Sequence, residues 1–584
     1  MRRSPLILLL LLSLFAWAPL LAPGYFLRAH DAAHSLFWLV EFDQGIRDGF
    51  LWPRWAPDHA LGYGYPLFTF YAPMAFYLAE IFHLLGASIV TSVKIIWALG
   101  FVLSGVTMYA FVRRLWGEAA GLVAGLLYIY APYHLVNIYV RAALAEFVAL
   151  ALFPWVLLSF WELLDKGGDM RSAAGRRRVG MAALSFGLTL LTHSVTVIFF
   201  PPFLVGLVLY WLLLAWHRER RLPWRRSVQA LLAGVLGVAL AAIFILPALA
   251  EGSYIVQEQW LPSTYRYANQ YLYFFQFFDP AWGFGHALPG PDDGMSMQVG
   301  LWLVLLGMAA ALLLRRGLQQ RTVAAGFVLL GAAALFMTLA ASRPLWDAFY
   351  PVALIQFPFR LLALVDLSLA IVGGGVVAAL ARGQNNASHP QASSGIPPLV
   401  LALALAVVLG SYAYTRPQHT PVTERNQSPQ AVIDFEVAYP DMRGSTAFAA
   451  SPPADSPKRQ AYLDGSPLPL AGIIRGQGTV VPLHHGGGSE RVQVRAKTAV
   501  TLQFYTYWYP GWRATVNGRP AAIRPEGPDA LITLDLPPGE HEVAIRFANT
   551  PLRTVAAAVT LLTALTLVLL LLLPQGPRSR QQAS

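Results

Sequence analysis

The sequence predicts an all-α polytopic membrane domain of about twelve transmembrane helices, with one small β-rich domain near the C-terminus. Three observations predict it. Apolar runs of about 20 residues recur, enough for a ~30 Å hydrocarbon core, in a chain of 584 residues that is 56% hydrophobic and 12% charged. Basic residues gather in the short segments between alternate runs, where they set topology. Residues 478–547 instead alternate apolar and polar with period two, broken by turn sequences. The net charge of +11 belongs to the short loops, so it argues for a bilayer and against nucleic acid. The lack of cysteine excludes disulfides and cysteine-based metal or redox sites.

Met1-Arg2-Arg3 before Leu6 to Leu21 resembles a signal peptide, but the spans behind it favour an uncleaved first span at about 5–22. Further spans are expected at about 91–112, 118–132, 143–164, 180–197, 199–216, 229–249, 298–314, 322–340, 361–381, 397–414 and 554–573. With the N-terminus inside, Arg113-Arg114, Lys166 to Arg178, His217 to Arg226, Arg315 to Arg321, Arg382 and Arg578 to Arg580 all fall inside. Both termini are then cytoplasmic. Residues 67–86 are apolar enough to span, yet a span there would turn every later basic loop outward. They are expected as a re-entrant or interfacial helix within an external loop, 23–90.

The other external pieces are 133–142, a corner near His193, 251–297, 341–360 and 415–553. They are the aromatic, acid-bearing ones, and function is expected on them because loops held by a rigid scaffold carry chemistry. Segment 384–396 reads as an internal loop. The organisation expected is a transmembrane domain over 1–414, an extracytoplasmic β-domain over 415–553, and a last span with a cytoplasmic tail over 554–584. In the β-domain, strands are expected at 478–483, 491–496, 499–507, 512–517, 530–536 and 541–547, as a small antiparallel sandwich or jelly roll. Val516-Asn517-Gly518 and Leu536-Pro537-Pro538-Gly539 mark turns between them.

Candidate site residues crowd the first external loop. Asp31 precedes AAHSLFWLVEFDQGI, an amphipathic helix expected to set Leu36, Phe37, Val40, Phe42 and Ile46 toward the membrane. Asp31 suits an N-cap there, and equally a carboxylate poised at the interface as general base. Asp43 and Asp48 read as a solvated polar face. His30 and His34 flank Asp31 without metal-ligand spacing, so they read as orienting groups; a divalent cation stays an open alternative and no metal ligand is assigned. Trp52 to Trp55 and Gly62 to Pro66 suit either an aromatic belt or a wall on which sugar rings stack, with Trp55 and Tyr65 as candidates.

Later in the chain, Arg141 and Glu146 open a span, where ionisable groups are paired or functional. Arg141 can pair with Glu146 or take a lipid phosphate. His193 in LTHSV suits packing or a pocket. Arg360 in QFPFR lies outside against the basic-inside trend, and suits headgroup snorkelling or a carrier phosphate. Tyr265 to Tyr267 and Asp279 to Gly283 occupy a loop able to cover the site. There is no GxxxxGK[ST] and no HExxH, and no array of mid-span charges of the kind ion-coupled transporters use.

Asp31, Leu36 to Gln44, Trp55 to Pro57 and Tyr65 to Tyr71 resemble the opening of the GT-C superfamily of membrane glycosyltransferases. Tyr133-His134, Arg141 to Glu146, Leu191 to Ser194, Gln356 to Arg360 and Tyr509 to Trp512 resemble bacterial YfhO-like proteins and those described as 6-pyruvoyl-tetrahydropterin synthase-related membrane domains. The latter name implies no pterin chemistry, since no soluble zinc-binding histidine set is present. The GT-C resemblance implies transfer of a sugar from a polyprenyl-phosphate carrier to an extracytoplasmic glycan, lipid or protein acceptor, with Asp31 as catalytic base. Many GT-C members pair two acids at that place; here His30 and Ala32 flank Asp31, which favours a lone base. Two other readings stand beside this one. A non-catalytic scaffold would bind polysaccharide through the β-domain. A lipid-linked sugar translocator would use polar residues within spans, of which Asp366 is the candidate.

Overall fold

A computed structural model describes residues 4–256, 266–316, 321–385 and 396–573. Met1 to Arg3, Tyr265, most of the 384–396 loop and Arg578 to Arg580 lie outside the described residues.

Helices stand at all twelve places where spans are expected. Among the described residues, six are long and apolar enough to cross a membrane: Ile89–Trp116, Leu144–Lys166, Thr196–Glu219, Pro358–Ala381, Pro398–Thr415 and Pro551–Leu572. Two bent pairs raise the number to eight, Glu118–Ile129 with Pro132–Tyr139 (42°) and Trp224–Leu240 with Ala242–Ala250 (69°). Among the described residues, then, six to eight candidate spans stand where about twelve full spans are expected; the remaining apolar helices described there are shorter. Pro5–Leu21 and Arg321–Met337 each hold fewer than 18 residues. The first break has a covalent cause: the residue four beyond Tyr128 is Pro132, which has no N–H to give its carbonyl. Residues 67–86 form Leu67–Phe70 and Met74–Leu84, too short to span, as the charge argument requires.

The helix after Asp31 runs Ala32–Arg47, but it does not lie on lipid. Leu36, Phe37 and Phe42 are wholly buried and Val40 nearly so. Met74–Leu84 covers one side of this helix, where Phe42 meets Phe76 and Tyr77, and Gln430–Ala438 the other, where Phe37 and His34 meet Phe435. The polar side is also enclosed. Asp48 was expected to be solvated; it accepts from Gly488 N at 2.9 Å and Ser489 Oγ at 2.8 Å.

That contact belongs to a two-sheet antiparallel region. The strands are β1 (Ala471–Arg475), β2 (Gly478–His485), β3 (Ser489–Ala496), β4 (Val500–Tyr507), β5 (Trp512–Val516), β6 (Arg519–Ala521), β7 (Arg524–Glu526), β8 (Leu531–Leu536) and β9 (Gly539–Phe547). One sheet has the order β1-β4-β8-β7 and the other β2-β3-β9-β5-β6. Period-two burial brings Val492, Val494, Leu502, Phe504, Ile532, Leu534, Val543 and Ile545 inward to form the core between the sheets. Asn517-Gly518, both with positive φ, close the two-residue β5–β6 hairpin. The sequence pattern missed the short β1, β6 and β7, and it missed helices Gln430–Ala438 and Pro457–Asp464 in the polar lead-in.

Segments expected on the same side gather at the same end of the bundle. Tyr25 ladders with Thr420, Tyr509 reaches Glu251, and Tyr507 N donates to Tyr63 O. At the opposite end Arg114 pairs with Glu162 and Asp165, and Arg176 and Arg177 donate to the carbonyls that close the last span.

Candidate active site

Asp31 occupies the N-cap position of Ala32–Arg47 but does not cap it. Its φ and ψ are −105° and 15°, and its side chain accepts no backbone N–H. The main chain is what holds it: Asp31 N donates to Arg141 O at 2.8 Å, and His30 N to Val140 O at 3.1 Å. Residues 110 apart in sequence are thereby fixed side by side. The half-buried carboxylate itself makes no hydrogen bond among the described residues.

Arg141 lies in a turn that the chain makes against its own preference. Ala142 takes φ 53°, a left-handed conformation costing about 1 kcal/mol for an L-residue. The turn swings the Arg141 guanidinium onto Glu146, with Nη1 3.1 Å from Oε1. Glu146 Oε1 also accepts from Tyr133 Oη at 2.6 Å and Asn137 Nδ2 at 2.9 Å. Its second oxygen faces Arg360 Nε at 3.6 Å. Arg360 comes from a second strained corner, where Gln356 has φ 65° before Phe357-Pro358. Phe359 and Phe357 supply ring faces to Arg141 and Arg360, at 5.2 and 5.3 Å. Two guanidiniums therefore share one buried carboxylate, which leaves the cluster with one net positive charge beside Asp31. The Asp31 charge reaches both of them electrostatically, and Tyr71 and His34 as well.

His193 joins the same cluster. The corner 191–195 is stitched to the first loop: Ser194 Oγ donates to Phe70 O at 2.9 Å, and Ala72 N donates to Ser194 Oγ at 3.0 Å. This sets the His193 ring 6.5 Å from that of Tyr71, with Nδ1 2.9 Å from Thr196 Oγ1. Burial pushes His193 down to about 3, so it is a neutral imidazole at physiological pH. Burial likewise brings His34 and His30 down to about 4; Asp31 acts the other way on both. His34 packs among Phe37, Trp38 and Phe435.

The structure therefore brings together Asp31, His34, Arg141, Glu146, His193 and Arg360. It keeps Trp55 and Tyr65 apart from them. Trp55 is 2% exposed and packs edge-on against Trp512 at 5.2 Å and against Phe547 at 5.2 Å, so its ring is used by the β-sheets. Tyr65 pairs through its backbone with Ala56 and packs on Gly444. Neither presents a face to a sugar at Asp31. Among the described residues no group of three or more His, Asp and Glu could hold a metal ion.

Sequence reasoning missed His286. It sits on a hairpin closed by Gly285 N to Gly294 O at 2.8 Å and Gly294 N to His286 O at 2.9 Å. His286 stacks on His30 with centroids 4.2 Å apart, and His30 Nε2 meets Gly285 O at 3.0 Å. A Cβ at Gly283 would lie 1.9 Å from Gly294 O, so glycine is required for the two arms to close. The glycine spacing was the available signal, and nothing in it pointed to His30.

Residues 68–416 match the family model described as "6-pyruvoyl-tetrahydropterin synthase related domain; membrane protein", which spans more than half of the chain. The chain belongs to this family of membrane proteins. A curated relative, an uncharacterized protein of Lactococcus lactis subsp. cremoris (strain MG1363), is 26% identical over 252 residues, 42% of this chain and 39% of the relative. The match thus spans well under half of that relative's length. Among solved structures, the chain is similar to mycobacterial arabinofuranosyltransferase AftD (TM-score 0.46, 15% identity, 94% of this chain and 40% of that one). It is also similar to the Archaeoglobus fulgidus oligosaccharyltransferase (0.43, 15%, 72% and 56%). ArnT from Cupriavidus metallidurans bound to undecaprenyl phosphate is a third (0.41, 15%, 71% and 75%).

Proposed function

We propose that this family member is a glycosyltransferase that moves a sugar from a polyprenyl-phosphate carrier to an acceptor hydroxyl, with Asp31 as general base. One observation carries the reading: an unpaired carboxylate is locked by the main chain beside two arginines that share a single counter-charge. Asp31 takes the proton from the acceptor hydroxyl as its oxygen bonds to the anomeric carbon. The bond from that carbon to the phosphate oxygen breaks, and the electron pair leaves with the lipid phosphate. The net positive charge of Arg141, Arg360 and Glu146 meets the charge that develops there; such stabilisation is commonly worth several kcal/mol. Attack opposite the leaving phosphate inverts the anomeric centre. The resemblance of Asp31 and its loop to the GT-C opening supports the same reading, and it is the source of the carrier class.

The test is a chromosomal Asp31→Asn variant compared with a deletion. Loss of general-base catalysis is worth about 10²–10⁴-fold in rate, so the variant should accumulate the same lipid-linked sugar as the deletion while the protein stays in the membrane at normal abundance. A lipid profile identical to wild type removes Asp31 from the mechanism.

A further inference from the structure

Arg54 lies outside the Asp31 site and is 5% exposed. It follows Trp52-Pro53 in the first external loop. Its Nη2 donates at 2.9 Å to Ile243 O, just past the 69° break between Trp224–Leu240 and Ala242–Ala250. Its Nε and Nη1 are buried without a hydrogen-bond partner among the described residues, which leaves three N–H groups unused. Among the described residues the largest charge effects on it come from Arg553 and Glu251. Glu251 is committed to Arg553, through Nε to Oε1 at 2.8 Å and Nη2 to Oε2 at 2.7 Å. Tyr509 and Tyr77, the other titratable neighbours, are neutral phenols. Two buried guanidiniums thus face one carboxylate here, and Arg54 is the one left over. A buried carboxylic acid can shed its charge by taking a proton; a guanidinium in a protein keeps its charge. An uncompensated cation with free donors at low dielectric is costly unless an anion meets it.

The surroundings say where that anion comes from. Ile243 belongs to an apolar helix pair of the kind that forms a broken span or a re-entrant loop in a membrane. The Arg54 guanidinium lies 5.9 Å from the Trp52 ring centre, and that ring lies 5.6 Å from Tyr77, an arrangement of aromatics suited to headgroup depth. Leu51 and Leu249 turn apolar side chains outward, at 92% and 77% exposure. We infer that Arg54 anchors a membrane-lipid phosphate at the break in the 224–250 segment, separate from the Asp31 cluster. A tetrahedral phosphate has enough acceptor oxygens to take more than one of the free donors. The bound headgroup would pin the first loop to this helix pair, and it is independent of the proposed reaction.

The test uses the full-length protein in detergent, titrated with phosphatidylglycerol, with uncharged diacylglycerol and inorganic phosphate as separate arms, while the unfolding temperature is followed. Phosphatidylglycerol raises Tm in the wild type and the other two do not. Arg54→Gln needs at least about tenfold more phosphatidylglycerol for the same shift. Arg54→Lys keeps the charge, loses the planar donor set and responds between the two; it carries the test alone where the glutamine variant does not fold. An equal response in Arg54→Gln and wild type, or in Arg54→Lys and wild type, overturns the assignment. A shift with inorganic phosphate equal to that with phosphatidylglycerol assigns the site to free phosphate and overturns the lipid.

Discussion

At the residue scale, one carboxylate decides the candidate site. Glu146 is 1% exposed and holds Arg141, Arg360, Tyr133 and Asn137. Removing its charge leaves two buried guanidiniums with no ion-pair partner among the described residues and only the more distant charge of Asp31 to offset them. Breaking a buried pair by deleting one partner typically costs about 3–5 kcal/mol. Glu146→Gln should therefore lower the unfolding temperature by several degrees, and more than Arg141→Gln does, since the latter leaves Glu146 with Arg360. A double-variant cycle across these positions should return a coupling of about 0.5–3 kcal/mol, read by thermal unfolding of the purified protein. Asp31 contrasts with Glu146: with no side-chain hydrogen bond to lose, Asp31→Asn should move Tm by less than about 1 kcal/mol equivalent while removing activity.

At the element scale, the β2–β3 turn explains the run of three glycines in HHGGGS. It docks end-on against the C-terminal end of Ala32–Arg47. A Cβ at Gly487 would lie 2.3 Å from Gly45 N and 2.4 Å from Gly45 Cα, both main-chain atoms of the helix that carries Asp31. Main chain cannot move aside as a side chain can. Gly487→Ala should cost about 1–3 kcal/mol by overpacking. It should also speed proteolysis between the last strands and the first loop, because the seam opens there first. The same contact shows how a turn nearly 460 residues downstream helps to fix the helix at whose start Asp31 stands.

At the scale of the whole molecule, the first loop and the β-sheets meet through a buried polar seam. His485 on β2 stands between two carboxylates, with Nε2 3.6 Å from Asp58 Oδ1 and Nδ1 3.1 Å from Glu490 Oε1. Lys458 Nζ donates to Glu490 at 2.7 Å, and Tyr462 Oη donates to Asp58. Burial lowers His485, but hydrogen bonds to Asp58 and Glu490 outweigh it and the net shift is upward from 6.5. A raised folded pKa means that the charged imidazole stabilises the seam fully below pH 6.5. That contribution is lost as pH rises through the folded value. Glu490 is displaced the other way: burial raises it, yet Lys458 and His485 hold it down at about 2, so its share is full above 4.5 and lost only as pH falls toward 2. Thermal unfolding should therefore show this contribution falling away as pH rises above 6.5 in the wild type, and a flatter profile in His485→Gln.

The amino-acid sequence by itself determined the places of the long apolar helices, the longer period-two strands with their Asn-Gly turn, and a small set of candidates that included Asp31, Arg141, Glu146, His193 and Arg360. Those follow from local physics: apolar length, charge asymmetry, side-chain period and turn chemistry act over a few residues. Tertiary structure alone decided which of these residues meet. Asp31 and Arg141 are joined by a main-chain bond between distant segments, and no pattern along the chain encodes that pairing. Trp55 reads as an interfacial or sugar-stacking aromatic and Asp48 as a solvated carboxylate because loop composition is polar and aromatic, and folding set both against sheets more than 400 residues away. Hydropathy likewise marked more apolar helices than qualify as spans, since a residue buried against protein and one facing lipid have the same hydropathy.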